Sequence, residues 1–261
     1  MMANSFIHPT AIIDPRASLD SSVSVGAYTV IDGDVQIAKG TEIGHHCVIT
    51  GHTQIGEANK IYHFVSLGEA NQDKKYKGEP TKTIIGARNT IRESCTINRG
   101  TVQDQGITKV GDDNWLMAYV HVAHDCVVGN TTTLANCTQL AGHVHLGDYA
   151  VLGGFTGVHQ YVHIGAHVMC GVSSVVLMDI PAYMTVGGQP LRVAGFNREG
   201  LKRRGFSDTQ LANIKAAFKV LYRDGNTLDT AKKLIANMPE EALELSVLSQ
   251  SLTSATRGIV R

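Results

Sequence analysis

The sequence predicts an all-β parallel solenoid over residues 1–190 followed by a C-terminal α-helical domain over 191–261, and three observations carry that prediction. Apolar residues recur every six positions along most of the first 190 residues. A glycine often follows the apolar residue. Beyond Pro190 the sixfold pattern stops and apolar spacing becomes helical. A period of six fits neither the 3.6 of a helix nor the 2 of an alternating strand; it fits a short strand plus a corner.

Counted in sixes from Ile7, the first positions run Ile7, Ile13, Leu19, Val25 and onward without a miss to Leu67. The register returns at Ile85, Ile91 and Ile97, then resumes one residue later from Val110 to Val176. Only Cys170 among these is not Ile, Leu or Val. Positions five and one lie two apart and so face the same side, forming a core stripe. Position five is usually small or β-branched, as in Thr29, Val65, Thr132 and Ala150. Cys47, Cys95 and Cys126 share it and read as buried, inert thiols. The glycine at position two reads as the residue that lets the backbone turn.

Residues 69–84 and 103–109 break the repeat and are rich in charge, Gly or Pro. They read as loops leaving the solenoid, where function tends to concentrate. In the tail, Ser207 and Gln210 form a capping box ahead of Leu211, Ile214, Phe218, Leu221 and Tyr222, with Gly225 as the stop. Further helices are expected near 228–238 and 240–252.

Composition narrows the function. Lys plus Arg and Asp plus Glu are 23 each, so no global field draws the chain to nucleic acid or a membrane. The charge is uneven, however: net −5 over the first 190 residues and net +5 over the last 71, which directs anionic ligands to the tail. Five cysteines without a C-x-x-C pair, and a start that lacks the signal-peptide pattern, predict a reduced cytoplasmic protein. Residues 149–178 carry no Asp, Glu, Lys or Arg, but their strict period, three His and five Gly argue against a transmembrane helix.

Spacing singles out one corner. His124, Gly142 and Gln160 are 18 residues apart, as are Asp125, His143 and Tyr161. If a coil holds 18 residues, these are adjacent outward columns with coils about 4.8 Å apart. Three readings stand: a neutral His beside an Asp as general base, a zinc site of His121, His124 and His143 as in carbonic anhydrases of this solenoid type, or a solvated corner.

The hexads resemble those of hexapeptide acyltransferases, which implies three-hexad coils wound left-handed, a left-handed parallel β-helix. More specifically, NQDKKYKGEP from Asn71, IRESCTINRGT from Ile91, HVAHDC from His121, LAGHV from Leu140, HQY from His159 and FNREGLKRRGFS from Phe196 resemble the UDP-N-acetylglucosamine acyltransferase family. That resemblance implies transfer of a 3-hydroxyacyl group from acyl carrier protein to the sugar 3-hydroxyl, the first step of lipid A synthesis, by a homotrimer with no cofactor and no metal. It implies His124 as general base, Asp125 as its orienting partner and the Gly142 N–H as oxyanion donor. His121, His143 and Gln160 would line the substrate pocket, with Asp73 and Lys75 reaching in from the first loop. Asn197, Glu199, Arg203 and Arg204 resemble the nucleotide site, although GLKRRG also reads as a basic helix end. Val172 falls where larger side chains shorten the accepted acyl chain. Lys74 and Asn98 depart from the family's pattern. The related N-acyltransferases carry an extra domain ahead of their hexads, whereas here the hexads begin at Ile7.

Overall fold

The computed structural model describes residues 6–238 and 242–261. Two-residue strands recur hexad after hexad, and each pairs in parallel with the strand one coil away rather than with its neighbour in sequence. Ile31 lies opposite Ile49, Val110 opposite Val128 and Leu134 opposite Leu152, each 18 residues apart. Three strands therefore complete a coil, and among the described residues the coils stack into three sheets of nine, eight and ten strands. Face one runs from Ile12–Ile13 to Val175–Val176, and face two from Ser18–Leu19 to His163–Ile164. Face three runs from Ser24–Val25 to Met184–Gly187, with Arg192–Phe196 antiparallel on its end. The first, second and third corners join faces one to two, two to three and three to one.

First-position side chains from Val25 to Val176 form the buried core. Ile7, at the open end with no complete coil beneath it, stays 49% exposed. The fifth-position thiols are buried as expected, and burial pushes Cys95 and Cys126 up to about 12. Position five also holds three buried asparagines that a small or β-branched rule does not anticipate. Asn89 donates its backbone and side-chain N–H to Asn59 Oδ1 (2.9 and 3.0 Å), and Asn89 Oδ1 accepts from the Asn114 N–H (2.8 Å). Asn114 Oδ1 accepts from the Thr132 N–H (2.7 Å). This ladder satisfies buried backbone amides along the inside of the second corner.

The glycines do not act as expected. The residue with positive φ is the fourth of the hexad and is usually not glycine: Tyr28, His46, Asp125, His143, Tyr149 and His167 all have φ between 56° and 62°. Most second-position glycines, Gly68 with its φ of 74° excepted, are instead a matter of space. A Cβ on Gly26 would sit 2.6 Å from the Gly44 carbonyl carbon, and one on Gly56 2.6 Å from the Gly86 oxygen. Adjacent coils leave no room there for a side chain.

The first loop is shorter than its sequence break, and the second is shifted toward the N-terminus of its break. Strands Ser66–Glu69, Lys82–Ile85 and Ile107–Val110 take up the ends of each break, because period-two burial holds them on the sheets. The excursions are 70–81 and, after strand Thr96–Asn98, 99–106.

In the tail, α1 spans Arg198–Arg203, α2 Asp208–Tyr222, α3 Leu228–Ala236 and α4 Glu244–Thr253. The Ser207/Gln210 capping box forms, with both reciprocal hydrogen bonds present. The expected third long helix begins four residues late at Glu244; its proposed start at Glu240 lies outside the described residues. Strand Arg192–Phe196 and α1 are too short to leave a period in the sequence. Asp179 binds the chain end to the solenoid, its Oδ2 accepting from the Thr256 and Arg257 N–H groups (2.8 and 2.9 Å). Among the described residues no helix is long and apolar enough to cross a membrane.

Candidate functional site

The first corner is where both loops leave the solenoid, since each joins a face-one strand to a face-two strand. At its centre the left-handed φ of 58° at Asp125 brings two consecutive side chains together, which a flat strand forbids. His124 Nδ1 and Asp125 Oδ2 are 2.9 Å apart. Because the carboxylate can only accept, Nδ1 carries the proton, and Nε2 of the neutral ring is left with a lone pair.

Asp125 is not the outward, solvated group that its column position suggests. It is 2% exposed, because the second loop closes over it. The Thr101 N–H donates to Oδ1 (2.9 Å), and the Thr101 hydroxyl donates to Oδ2 (2.6 Å). Burial works against the charge, but the hydrogen bonds from His124 and Thr101 outweigh it and hold the carboxyl below its ordinary range.

One coil on, Gly142 lies under the His124 ring. A Cβ there would meet His124 Cε1 at 2.5 Å and Nε2 at 2.7 Å, so the absence of a side chain is what seats the imidazole. Third-position amides point away from the interstrand ladder and find no carbonyl in it. In some coils the next coil caps them: Ala27 donates to His45 Nδ1, Asp112 to Asn130 Oδ1 and Asn130 to Asp148 Oδ1. The Gly142 N–H donates to no acceptor among the described residues.

His143 is buried beside this pair. Its ring centroid lies 5.0 Å from that of His124, the two rings being nearly perpendicular, and it stacks on Tyr161 at 4.3 Å. Its Nδ1 is 2.8 Å from Asp104 Oδ2. Asp104 is absent from the sequence expectations because a short loop has no period; the charge of that loop was the one signal pointing to it. Gln160, the third member of the His124 column, is exposed above.

His121 sits on face one, and its Nδ1 is 2.7 Å from the Thr96 hydroxyl; burial lowers its pKa. The histidine triad of the zinc alternative is not assembled. The donor atoms that fall within 4.8 Å of one another are those of His124, Asp125 and His143. From His121 an apolar groove of about 450 Å³ crosses face one past Gln139, Gly157 and Val158 to Val175 and Leu177. Gly157, with open space where a Cβ would stand, forms its floor.

Asp73 and Lys75 arrive at the same corner on the first loop, where Asp73 Oδ1 accepts from the Lys75 N–H (2.9 Å). Asn71 ties the two loops together, Nδ2 donating to the Gly100 oxygen (3.1 Å). Asn98 is buried behind them, its Nδ2 donating to the Ala70 oxygen at 3.3 Å, and Lys74 is exposed.

The remaining expected residues lie on other edges. Asn197 caps α1, its Oδ1 accepting from the Gly200 N–H and its Nδ2 donating to the His167 oxygen (2.9 Å) at the second corner. Arg204 lays its guanidinium over Tyr149 at 4.9 Å, and burial lowers its pKa. Glu199 and Arg203 are exposed on α1, whose last turn is the basic helix end that the sequence allowed. Val172 is 69% exposed on the third corner. One chain thus distributes the expected site over three edges.

Comparison with known proteins covers the whole chain. Residues 179–260 match the family described as UDP N-acetylglucosamine O-acyltransferase, domain 2, and residues 107–142 match the bacterial transferase hexapeptide repeat. An acyl-(acyl-carrier-protein)–UDP-N-acetylglucosamine O-acyltransferase from Thiobacillus denitrificans is 57% identical over 98% of this chain and 99% of its own. The enzyme of the same name from Verminephrobacter eiseniae is 54% identical over 98% of this chain and 100% of its own. Among solved structures, the UDP-N-acetylglucosamine O-acyltransferase of Moraxella catarrhalis superposes with a TM-score of 0.96 at 42% identity, covering 98% of this chain and 99% of that one. The fold is the left-handed parallel β-helix of hexapeptide repeats with a helical C-terminal part.

Proposed function

The chain belongs to the UDP-N-acetylglucosamine O-acyltransferase family and is an acyltransferase, and on that premise we propose that it moves a 3-hydroxyacyl group from acyl carrier protein to the 3-hydroxyl of UDP-N-acetylglucosamine by general-base catalysis at His124. The observation that carries the mechanism is the His124–Asp125 pair, 2.9 Å apart, above the uncapped Gly142 amide. His124 Nε2 takes the proton of the sugar hydroxyl as its oxygen attacks the thioester carbonyl. The Gly142 N–H donates to the oxyanion of the tetrahedral intermediate. Collapse expels the carrier-protein thiolate, which takes the proton back from the imidazolium. Asp125, held ionised by Thr101, stabilises that imidazolium and fixes its tautomer.

The groove across face one suits an acyl chain: it is long, shallow and apolar. Val172 then sets chain length from the edge of a neighbouring copy. Asn197, Glu199, Arg203 and Arg204 receive the nucleotide diphosphate, and the +5 tail draws in an acidic carrier protein. Because these groups lie on three different edges, a homotrimer that sets one copy's edge against the next gathers them into three equivalent clefts. Exposed Tyr28, Phe64, Tyr119 and Phe155 on the third corner supply apolar surface for that packing. The reaction opens lipid A synthesis in the cytoplasm.

The test is acyl transfer from a ladder of 3-hydroxyacyl thioesters of acyl carrier protein to UDP-N-acetylglucosamine, with chelator present. Wild type should turn over, and His124→Ala should be slower by about 100-fold or more. A wild type that is silent at every chain length, or a His124→Ala variant that matches it, defeats the reading.

A further inference from the structure

The first corner holds two carboxylate–imidazole pairs side by side, and only one is used by the reaction as described. In the second, Asp104 Oδ2 lies 2.8 Å from His143 Nδ1. Stacking on Tyr161, with ring planes 6° apart, fixes the plane of the His143 ring. Stacking does not decide which edge of the ring faces which way, since a half-turn about χ2 preserves the stack. The carboxylate does decide it, because it accepts only from Nδ1–H. His143 Nε2 is thereby left as an acceptor, turned toward the first pair but 3.9 Å from Asp125 Oδ2, too far for a hydrogen bond.

We propose that Asp104 is a positioning residue of the acyl-transfer site, acting through His143. It holds that ring as the Nδ1–H tautomer, so that Nε2 accepts a hydrogen bond from the sugar nucleotide beside His124. The second loop that carries Asp104 also carries Thr101, so one short excursion orients both imidazoles, Thr101 through Asp125 and Asp104 directly. The assignment of His143 to the sugar rests on the acyl-transfer reading; the tautomer does not.

Two measurements separate the two. The first is imidazole 15N spectroscopy of the histidine-labelled protein, with His143 assigned by loss of its signal in His143→Ala. His143 should be the Nδ1–H tautomer in wild type and should lose that form in Asp104→Ala. The second is a kinetic cycle. Asp104→Ala should raise KM for UDP-N-acetylglucosamine about fivefold, leave KM for the acyl donor unchanged, and have no further effect once His143 is Ala. Asp104→Asn, which keeps an acceptor oxygen in place, should restore most of the affinity. A wild-type His143 protonated on Nε2, or a tautomer unchanged by Asp104→Ala, overturns the proposal whatever the reaction proves to be. An Asp104 effect of equal size with and without the His143 side chain overturns it too, since that would make Asp104 a tether for the loop alone.

Discussion

The first and second corners of the solenoid are built from the same backbone and do different work. Each turns through a fourth residue in the left-handed region, φ 58° at Asp125 and 61° at Tyr149, and each leaves its third-position amides outside the sheet ladder. At the second corner three successive amides are capped from coil to coil: Ala87 donates to Asp112, Asp112 to Asn130 and Asn130 to Asp148. Inside it, the ladder of Asn59, Asn89 and Asn114 satisfies the fifth-position amides. At the first corner the cap is missing at Gly142, and the His124–Asp125 pair stands over the gap. A donor satisfied within the protein stabilises the fold, whereas a donor left open is available to a substrate. The same stacking geometry therefore serves stability or chemistry according to which side chains occupy the third and fifth positions.

That division can be broken in a graded way. The largest effect is expected from Gly142→Ala. Its φ lies outside the left-handed region, so the backbone accepts alanine, but the new Cβ would meet the His124 ring at 2.5 Å and push it aside. We expect kcat to fall about 10–100-fold with the thermal midpoint little changed, as initial rates and calorimetry on one preparation would reveal. At the second corner the order inverts. Asn114→Ala strands the amide and the hydroxyl of Thr132, so it should cost about 1–3 kcal/mol and lower the thermal midpoint, while the rate per folded molecule stays near wild type.

The smallest effect is in pH dependence. Burial, helped by the nearby Arg204 charge, lowers His167 at the second corner to about 4. The unfolded chain binds this proton first, so the associated stability is present above pH 6.5 and is lost as pH falls toward 4. The unfolding midpoint should drop across that window in wild type and drop less in His167→Gln. Asp125 has its pKa below 3.8, so the pair at the first corner keeps its carboxylate charged throughout. A His167→Gln midpoint that tracks wild type at every pH would remove His167 from the account.

Much of this contrast was legible before any coordinates. The period of six placed the core from Val25 to Val176, and the interval of 18 placed His124 against Gly142 and Asp125 against His143. Legibility ended where structure depends on something other than period. The second-position glycines looked like turn residues, but the constraint on them is contact with the next coil, which a single hexad does not display. Asp125 looked exposed because the repeat alone does not reveal that loop 99–106 folds back over its own corner. Asp104 and the buried asparagines are polar residues whose partners lie 18 to 39 residues away, and nothing local marks such pairs.

The most direct test of the account is to measure acyl-transfer rate and unfolding midpoint on Gly142→Ala and Asn114→Ala side by side. The account predicts opposite rankings: Gly142→Ala the slower enzyme and the more stable protein, Asn114→Ala the faster and the less stable. If the two variants rank the same way on both axes, with rate simply following stability, the division of labour between the two corners is wrong.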